Sequence, residues 1–435
     1  MEEMLRATLA SYEEDLVAFT KALIAIPTEN PPGLAYHACV DLLTQKLAEI
    51  GLDYTLLEVP APAASSSRSA DPGYCLLSSY GTGDDILYFH GHYDVVPAVD
   101  PAQFQPYVQG GNLFGRGSSD MTSGLAAMIG AIQAIKASGI TLRGKIGLTI
   151  VPDEETGGQR GSHYLAEHGL LGRQGIGMLT AEPTGGVVWN ANRGAISLRV
   201  RVKGKPAHVG LHYQGVNAFE QMVTVANALL DYKREITTRQ TQFHIEPEAA
   251  RASILMMGGQ CSAGTNFNLV PADCTFTVDR RLNPEEDLTE EKQGLLELFD
   301  RLKQQGIDLE VEIFQEAPSS GVSTAHPLAQ ALARTIERVT GKAPVFELCP
   351  GLLEIRWYAQ QGIPAFAYGP GLLTVSHGPQ EFVPVENITR AALIYALTAV
   401  EFLGHDSVYW HAKDLQSQLN CFFILIQWIL EAFIC

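Results

Sequence analysis

The chain has 435 residues, 46% of them apolar, with 41 Gly and 23 Pro. This length and composition predict a globular protein that can bury a large core and form about two domains or more. The formal net charge of −18 and the absence of a basic run in the sequence argue against a nucleic-acid binder, because phosphate contacts need clustered Lys and Arg, and a small-molecule partner is favoured.

The cysteines and the first residues indicate the compartment. The seven cysteines are odd in number and show no C-x-x-C spacing, so neither a disulfide framework nor a thiolate zinc site is indicated. Residues 1–16 place acids where a signal peptide would have bases followed by an apolar run. We therefore expect a reducing compartment and a cytoplasmic protein.

The first part of the chain predicts alternating helices and strands. Apolar positions recur at three- and four-residue spacing over 16–26, 38–52 and 123–138, which predicts helices. Continuous apolar runs that predict buried strands cover residues 86–90, 145–151 and 176–181. This alternation indicates an α/β fold with a mostly parallel sheet covered by helices, and with any site at the carboxyl ends of the strands.

The pattern changes after about residue 190. Apolar and polar residues alternate over 195–204, which is typical of a strand with one solvated face. Further strands are predicted over 252–259 and 274–282, and helices over 217–235 and 285–306. We interpret 190–306 as an inserted α+β domain, with two helices on one face of an antiparallel sheet, and we expect this domain to form a dimer and to close over the site as a lid. Residues 1–189 and 307–404 would form the catalytic domain.

Short motifs at the ends of the apolar strands carry residues that bind metals or transfer protons. They are FHGHYDVVP (89–97), GRGSSDM (115–121), VPDEETGG (151–158) and TAEPTGG (180–186), followed late in the chain by VSHGP (375–379). Each residue alone has a structural explanation, since a His after a strand is usually part of the core and an acidic turn is usually solvated. Together they supply the imidazoles and carboxylates that two adjacent zinc ions need.

Three of these motifs suggest specific roles. In the pair His92 and Asp94, the carboxylate can hold one ring nitrogen while the other nitrogen faces a metal. Asp120 precedes a helix, where it would either bridge two metals or merely stabilise the helix N-terminus. Glu154 and Glu155 point in different directions after a strand, so one can bind metal while the other acts as a base.

The motifs GHYDVVP, GRGSSDM, DEETGG, AEPT and the late histidine resemble those of a known family, in order and spacing, from about residue 10 to residue 404. This is the dinuclear zinc amidohydrolase family that includes acetylornithine deacetylase, succinyl-diaminopimelate desuccinylase and carboxypeptidase-G-type enzymes. The resemblance implies a homodimeric hydrolase that cleaves the amide bond of a small N-acyl amino acid bearing a carboxylate. A dipeptidase or carboxypeptidase-type peptidase on the same scaffold, and a non-catalytic binding relative, are the alternatives.

The resemblance also implies a role for each motif residue. The implied ligands are His92 and Glu182 for one Zn²⁺, Glu155 and His377 for the other, and Asp120 as the bridge. Co²⁺ or Mn²⁺ are possible substitutes. Asp94 would orient His92, and Glu154 would be the general base as a zinc-bridged hydroxide attacks the amide carbonyl. The Asp120–Met121 peptide bond is expected to be cis.

Substrate recognition is also implied by the resemblance. RVKGKPAHVG (201–210) resembles the segment whose histidine reaches the active site of the partner subunit, which implies this role for His208. The residues at positions where relatives hold the substrate carboxylate are Arg193, Asn268, Arg281 and Arg356. Leu352 departs from the family, because desuccinylases usually have a Thr there in a Gly-Gly-Thr-x-Asp stretch. This difference argues against both succinyl-diaminopimelate and acetylornithine as substrates.

Residues 405–435 lie beyond the resemblance, and 421–435 are almost wholly apolar. This apolar segment is too short to span a bilayer comfortably, and Gln427 and Glu431 interrupt it. Three interpretations stay open: an additional packing helix, a contact with a membrane surface or another subunit, and a non-native extension. The last is favoured, and membrane contact is not expected.

Overall fold

The computed structural model describes residues 1–60 and 71–404, so the apolar segment 421–435 lies outside the described residues. The α-helices are α1 (Glu2–Ser11), α2 (Glu13–Ile24), α3 (Tyr36–Glu49), α4 (Ser123–Ala137), α5 (Ser162–Glu167), α6 (Ala218–Ile236), α7 (Leu288–Gln304), α8 (Pro327–Thr340), α9 (Ile355–Gln360) and α10 (Val385–Leu403). None of the helices in the two described ranges combines the length and the hydropathy needed to cross a membrane.

The β-strands form three sheets. In chain order they are β1 (Tyr54–Val59), β2 (Gly73–Gly81), β3 (Ile86–His92), β4 (Tyr107–Gln109), β5 (Asn112–Phe114), β6 (Lys145–Val151), β7 (Gly175–Thr180), β8 (Val188–Asn192), β9 (Gly194–Lys203), β10 (Ile254–Ala263), β11 (Asp273–Leu282), β12 (Leu309–Ala317), β13 (Ser320–Gly321), β14 (Phe346–Cys349), β15 (Ala365–Ala367) and β16 (Phe382–Pro384).

The largest sheet has the strand order β1-β2-β6-β3-β7-β15-β8-β13, with β14 also paired to β8. Its central strands β6, β3, β7 and β15 are parallel, and antiparallel pairing occurs towards its edges. The three apolar runs predicted as buried strands are β6, β3 and β7. The prediction of an α/β fold with a mixed sheet covered by helices is therefore confirmed, and parallel pairing is concentrated at the centre.

Helix α4 packs against this sheet and begins just after the GRGSSDM stretch. Nearly all of its residues are buried, because its sequence is small and apolar on every face. At its first turn, a Cβ on Gly124 would lie 2.6 Å from the backbone oxygen of Ala181, so only glycine allows this close approach. The beginning of α4 is thus packed directly against the end of β7.

The second sheet is antiparallel, with the order β10-β11-β9-β12, and α6 and α7 share its apolar core. In β9, Ile196, Leu198 and Val200 are fully buried, while Arg199 on the solvated face pairs with Glu312. The alternation predicted over 195–204 is present. The predicted end of the inserted domain at residue 306 falls before β12, which pairs along β9, so the sheet continues past that boundary.

Candidate metal centre and active site

Three neighbouring parallel strands end at the candidate site. Strand β3 ends at His92, β6 ends just before Glu154 and Glu155, and β7 ends just before Glu182. Because parallel strands have their carboxyl ends at the same edge of the sheet, the topology brings these four side chains together.

A first cluster combines one histidine with two carboxylates. His92 Nε2 lies 3.3 Å from Asp120 Oδ1 and 3.9 Å from Glu182 Oε1. All three residues are buried, and their candidate ligand atoms lie within 4.8 Å of one another. This is a set of nitrogen and oxygen donors that suits a divalent transition metal.

A second cluster shares Asp120 with the first. Its other oxygen, Oδ2, lies 3.2 Å from His377 Nε2, and Glu155 Oε1 lies 3.3 Å from the same nitrogen. Asp120 thus directs one oxygen to each cluster, as a bridging carboxylate would. The Asp120–Met121 peptide bond is cis, so that prediction is confirmed.

Several buried atoms of the two clusters have no hydrogen-bond partner among the described residues. They are His92 Nε2, Asp120 Oδ1 and Glu155 Oε1. Burial and the negative charge of Asp120 raise the pKa of Glu182 to about 8. The adjacent carboxylates of Asp120 and Glu155 raise the pKa of His377 to about 10. Divalent cations would bind these unpaired nitrogen and oxygen atoms and would neutralise the crowded carboxylates. These residues therefore fit two metal ions.

Asp94 acts mainly on the turn that carries Glu154 and Glu155. Its fully buried carboxylate accepts hydrogen bonds from the backbone N–H groups of Glu154 (3.1 Å) and Glu155 (3.2 Å). His92 Nδ1 lies closer to the backbone oxygen of Asp94 (3.0 Å) than to its carboxylate Oδ1 (3.5 Å). The Asp94 carboxylate, which the sequence predicts to orient His92, therefore lies near the His92 ring and also holds the turn that carries Glu154 and Glu155.

Asn30 is a site residue that the sequence analysis missed. Its Nδ2 donates to Asp94 Oδ2 (2.8 Å), to Asp153 Oδ1 (3.1 Å) and to Thr156 Oγ1 (2.9 Å). The only signal in the sequence was the helix-breaking stretch Asn30-Pro-Pro-Gly33, which predicts a turn and no chemistry. Asn30 therefore connects the N-terminal loop to the turn that carries Glu154.

A buried ion pair between Arg116 and Glu381 was also missed. The short strand β16 pairs with β5 and so brings Glu381 beside the GRGSSDM stretch. Glu381 accepts hydrogen bonds from the backbone N–H groups of Ser119 and Asp120, both at 3.0 Å. Arg116 contacts Glu381 at 2.7 Å and also donates to the backbone oxygen of His377 at 3.2 Å. One ion pair thus holds the segments of two candidate ligands.

We expect Glu381→Gln to weaken metal binding by about 10- to 100-fold, the usual effect of losing a partner that orients metal ligands. The Gln side chain has nearly the same shape as that of Glu381, but it is uncharged and leaves the buried Arg116 without its counter-charge. Titration against a competing chelator measures the affinity. The matched control is Glu386→Gln, since Glu386 forms only an exposed ion pair with Arg390. If both variants bind metal with equal affinity, Glu381 does not position the metal ligands.

A cavity of about 440 Å³ adjoins the two clusters. It is lined by Asp120, Glu154, Glu155, Thr156, Gly157, Glu182, Pro183, Trp189, Gln315, Cys349, Pro350, Gly351, Leu352, Leu353, Arg356, Leu373 and His377. Gln315 belongs to β12, so the antiparallel sheet also borders the cavity. Burial raises the pKa of the Glu154 carboxyl well above its usual range. The positive charge of His92 opposes this shift, and the negative charge of Glu182 adds to it.

Of the four residues predicted to hold a substrate carboxylate, the structure brings Arg356 to the cavity. Within the described chain, Arg193, Asn268 and Arg281 do not line it. Arg193 donates to backbone oxygens of Ala250 and Ala252, and Arg281 pairs with Asp279 at 2.9 Å. The backbone oxygen of Asn268 accepts a hydrogen bond from Val209. These partners all belong to the inserted domain. Residue type alone could not predict these contacts.

His208 is exposed and does not line the cavity of its own chain as described. Its Nδ1 accepts a hydrogen bond from the backbone N–H of Gly210 at 3.1 Å. The residue lies where the segment after β9 turns over the surface of the antiparallel domain, and its backbone pairs with Leu269.

The fold and the site together define a class of protein, namely a hydrolase with two adjacent metal clusters at the carboxyl edge of an α/β sheet. Residues 88–401 match the sequence profile of peptidase family M20/M25/M40, so the chain belongs to this family. The chain is therefore a metal-dependent hydrolase that acts on amide bonds, and the predicted family is confirmed.

Individual relatives are similar over most of their length. A probable succinyl-diaminopimelate desuccinylase from Staphylococcus epidermidis is 26% identical, covering 85% of this chain and 93% of that protein. A succinyl-diaminopimelate desuccinylase from Gluconacetobacter diazotrophicus is 26% identical, covering 89% and 97%. The structure of the dipeptidase Dug1p from Saccharomyces cerevisiae shares the fold, with a TM-score of 0.71, 16% identity and coverage of 93% and 98%.

Proposed function

We propose that the protein hydrolyses the amide bond of a small N-acyl amino acid, as a cytoplasmic homodimer with two Zn²⁺ per subunit. Co²⁺ or Mn²⁺ are possible substitutes for Zn²⁺. One observation carries the proposal. Two metal-binding clusters that share Asp120 adjoin a cavity containing a spare carboxylate, Glu154, and a buried guanidinium, Arg356.

The two ligand clusters support an assignment of the metal sites. His92, Asp120 and Glu182 would hold one ion, and Asp120, Glu155 and His377 would hold the other. Divalent ions bound there supply a water of lowered pKa and polarise the carbonyl of the substrate. The Arg116–Glu381 ion pair fixes the backbone beside both Asp120 and His377.

Glu154 is the residue left for proton transfer. It lines the cavity but belongs to neither ligand cluster, and its backbone is fixed by Asp94. Its carboxylate would accept the proton of the attacking water and return it to the leaving amine, a role for which a positioned carboxylate is suited. His208 of the partner subunit would donate a hydrogen bond where negative charge develops on the carbonyl oxygen.

Arg356 would bind the carboxylate of the substrate. It is 2% exposed and lines the cavity, and its guanidinium lies 4.9 Å from the Trp357 ring. Its Nε and Nη1 have no hydrogen-bond partner among the described residues. Unsatisfied donors on a buried cation are costly, and the carboxylate of a substrate would offer this guanidinium the acceptors that it lacks.

A substrate panel tests the proposal. The metal-loaded protein is assayed with N-acetyl, N-succinyl, N-formyl and N-carbamoyl amino acids and with a dipeptide. At least one N-acyl amino acid should react, and its C-terminal amide should react about a hundredfold more slowly because Arg356 loses its partner. Arg356→Met should remove this difference. Turnover of the dipeptide alone would support the peptidase alternative instead.

The homodimer is proposed from an apolar surface on the antiparallel domain. Exposed apolar side chains occur together in the segment after His208, on α6 and in the loop before β11; they include Val209, Leu211, Tyr213, Phe219, Val223, Phe267 and Leu269. Phe267 is 98% exposed. Strand β10 is also an unpaired edge of its sheet. A second copy would cover both features, and an apolar patch of this kind is typical of an interface.

A further inference from the structure

Part of the cavity lining consists of apolar side chains, which we name the apolar wall: Trp189, Cys349, Pro350, Leu352, Leu353 and Leu373. Trp189, Cys349 and Leu353 are each 4% exposed and belong to one core cluster, so this part of the wall is held in place by packing. Burial raises the pKa of the Cys349 thiol far above its usual value, so the thiol is uncharged at neutral pH.

Apart from its histidine, the side chains that line the cavity in this chain supply little positive charge. Among the residues described as lining it, Arg356 is the only Lys or Arg. Arg193 and Arg281 are engaged by the antiparallel domain and do not line the cavity. His377 belongs to a ligand cluster, where a bound metal would use its lone pair. Within the described lining of one chain, one carboxylate of a substrate therefore finds a buried guanidinium, and a second carboxylate finds none.

We infer that the substrate combines a single carboxylate with an uncharged, apolar acyl group, and that Leu352 is a residue that determines this specificity. The inference rests on the proposed function. A carboxylate placed against the apolar wall would lose its water without gaining a hydrogen-bond donor, which is strongly unfavourable. An aliphatic group of the same shape would instead gain from burial. This preference would separate the chain from the relatives named desuccinylases.

A matched pair of ligands tests the inference. N-(4-methylpentanoyl) and N-succinyl derivatives of one amino acid have acyl groups of the same shape, ending in an isopropyl group and a carboxylate respectively. Calorimetry on the metal-loaded Glu154→Gln protein measures binding without turnover, and wild-type protein gives kcat/KM. We expect the 4-methylpentanoyl compound to be favoured by about a hundredfold in both measurements.

A charged substitution in the wall should change the preference. Leu352→Lys supplies a cation to the cavity, so we expect the N-succinyl compound to bind at least as tightly as its apolar counterpart. The matched control is Leu56→Lys, because Leu56 is exposed on the edge strand β1. It should retain the wild-type ratio. If Leu352→Lys does not fold, the ratio of the two ligand affinities measured without this substitution still tests the inference.

The outcomes separate the inference from the proposed function. Equal binding of the two ligands, or tighter binding of the N-succinyl compound, overturns the inference even if both are hydrolysed. Binding of neither ligand also overturns it. If neither compound nor any other N-acyl amino acid is hydrolysed by protein with two metals bound, the proposed function is wrong, while the binding ratio still decides on the specificity of the wall.

Discussion

Replacement of Glu154 by Gln is expected to lower kcat by more than about a thousandfold, because one side chain would lose both its general-base and its general-acid role. Both metal sites should keep their ions, since Glu154 belongs to neither ligand cluster. The amide also preserves the backbone hydrogen bond from Glu154 to Asp94. Steady-state kinetics and metal analysis on the same preparation measure the two effects.

Asp120→Ala is the contrasting variant for this experiment. Asp120 is shared by both clusters, so its loss should lower metal occupancy together with activity. A Glu154→Gln protein that keeps near-native turnover would show that another group transfers the proton. A Glu154→Gln protein that loses its metals would instead place Glu154 among the ligands.

The sequence predicted the parts of the site whose residues carry chemistry. His92, Glu155 and Glu182 each follow a strand that apolar runs identified, and parallel strands bring such residues to one edge whatever the details of packing. The residues that hold these side chains in place could not be predicted. Asn30 and Glu381 are distant in sequence from the residues they support, and they reach them through polar hydrogen bonds that leave no periodic pattern.

The limits of prediction are similar in the antiparallel domain. The alternation in β9 revealed the sheet because one face of that strand is buried and the other solvated. Strand β12 also alternates, yet it lies beyond the charged helix at which the predicted domain ended. The roles predicted for Arg193 and Arg281 depended on residue type and position. Only three-dimensional contacts show that backbone oxygens and Asp279 already bind their guanidinium groups.

The exposed position of His208 leads to a second prediction with a large effect on activity. The structure places His208 outside the cavity of its own chain, among exposed apolar side chains of the antiparallel domain. If a second copy covers this surface, each active site would combine its own Glu154 with the partner's histidine. The Glu154→Gln and His208→Ala proteins should therefore both be inactive alone, and mixing them should restore activity.

The expected recovery follows from the symmetry of a two-fold dimer. In an equal, randomly exchanged population about half of the dimers are mixed, and each mixed dimer has one site with both residues native, so about a quarter of all sites should work. Native mass spectrometry verifies subunit exchange. The matched control is His212→Ala, an exposed histidine of the same segment, which should be active before mixing. Exchange without recovery would place His208 in its own subunit's site, because no mixed dimer could then contain a complete site. A His208→Ala protein that is active before mixing would place His208 outside catalysis.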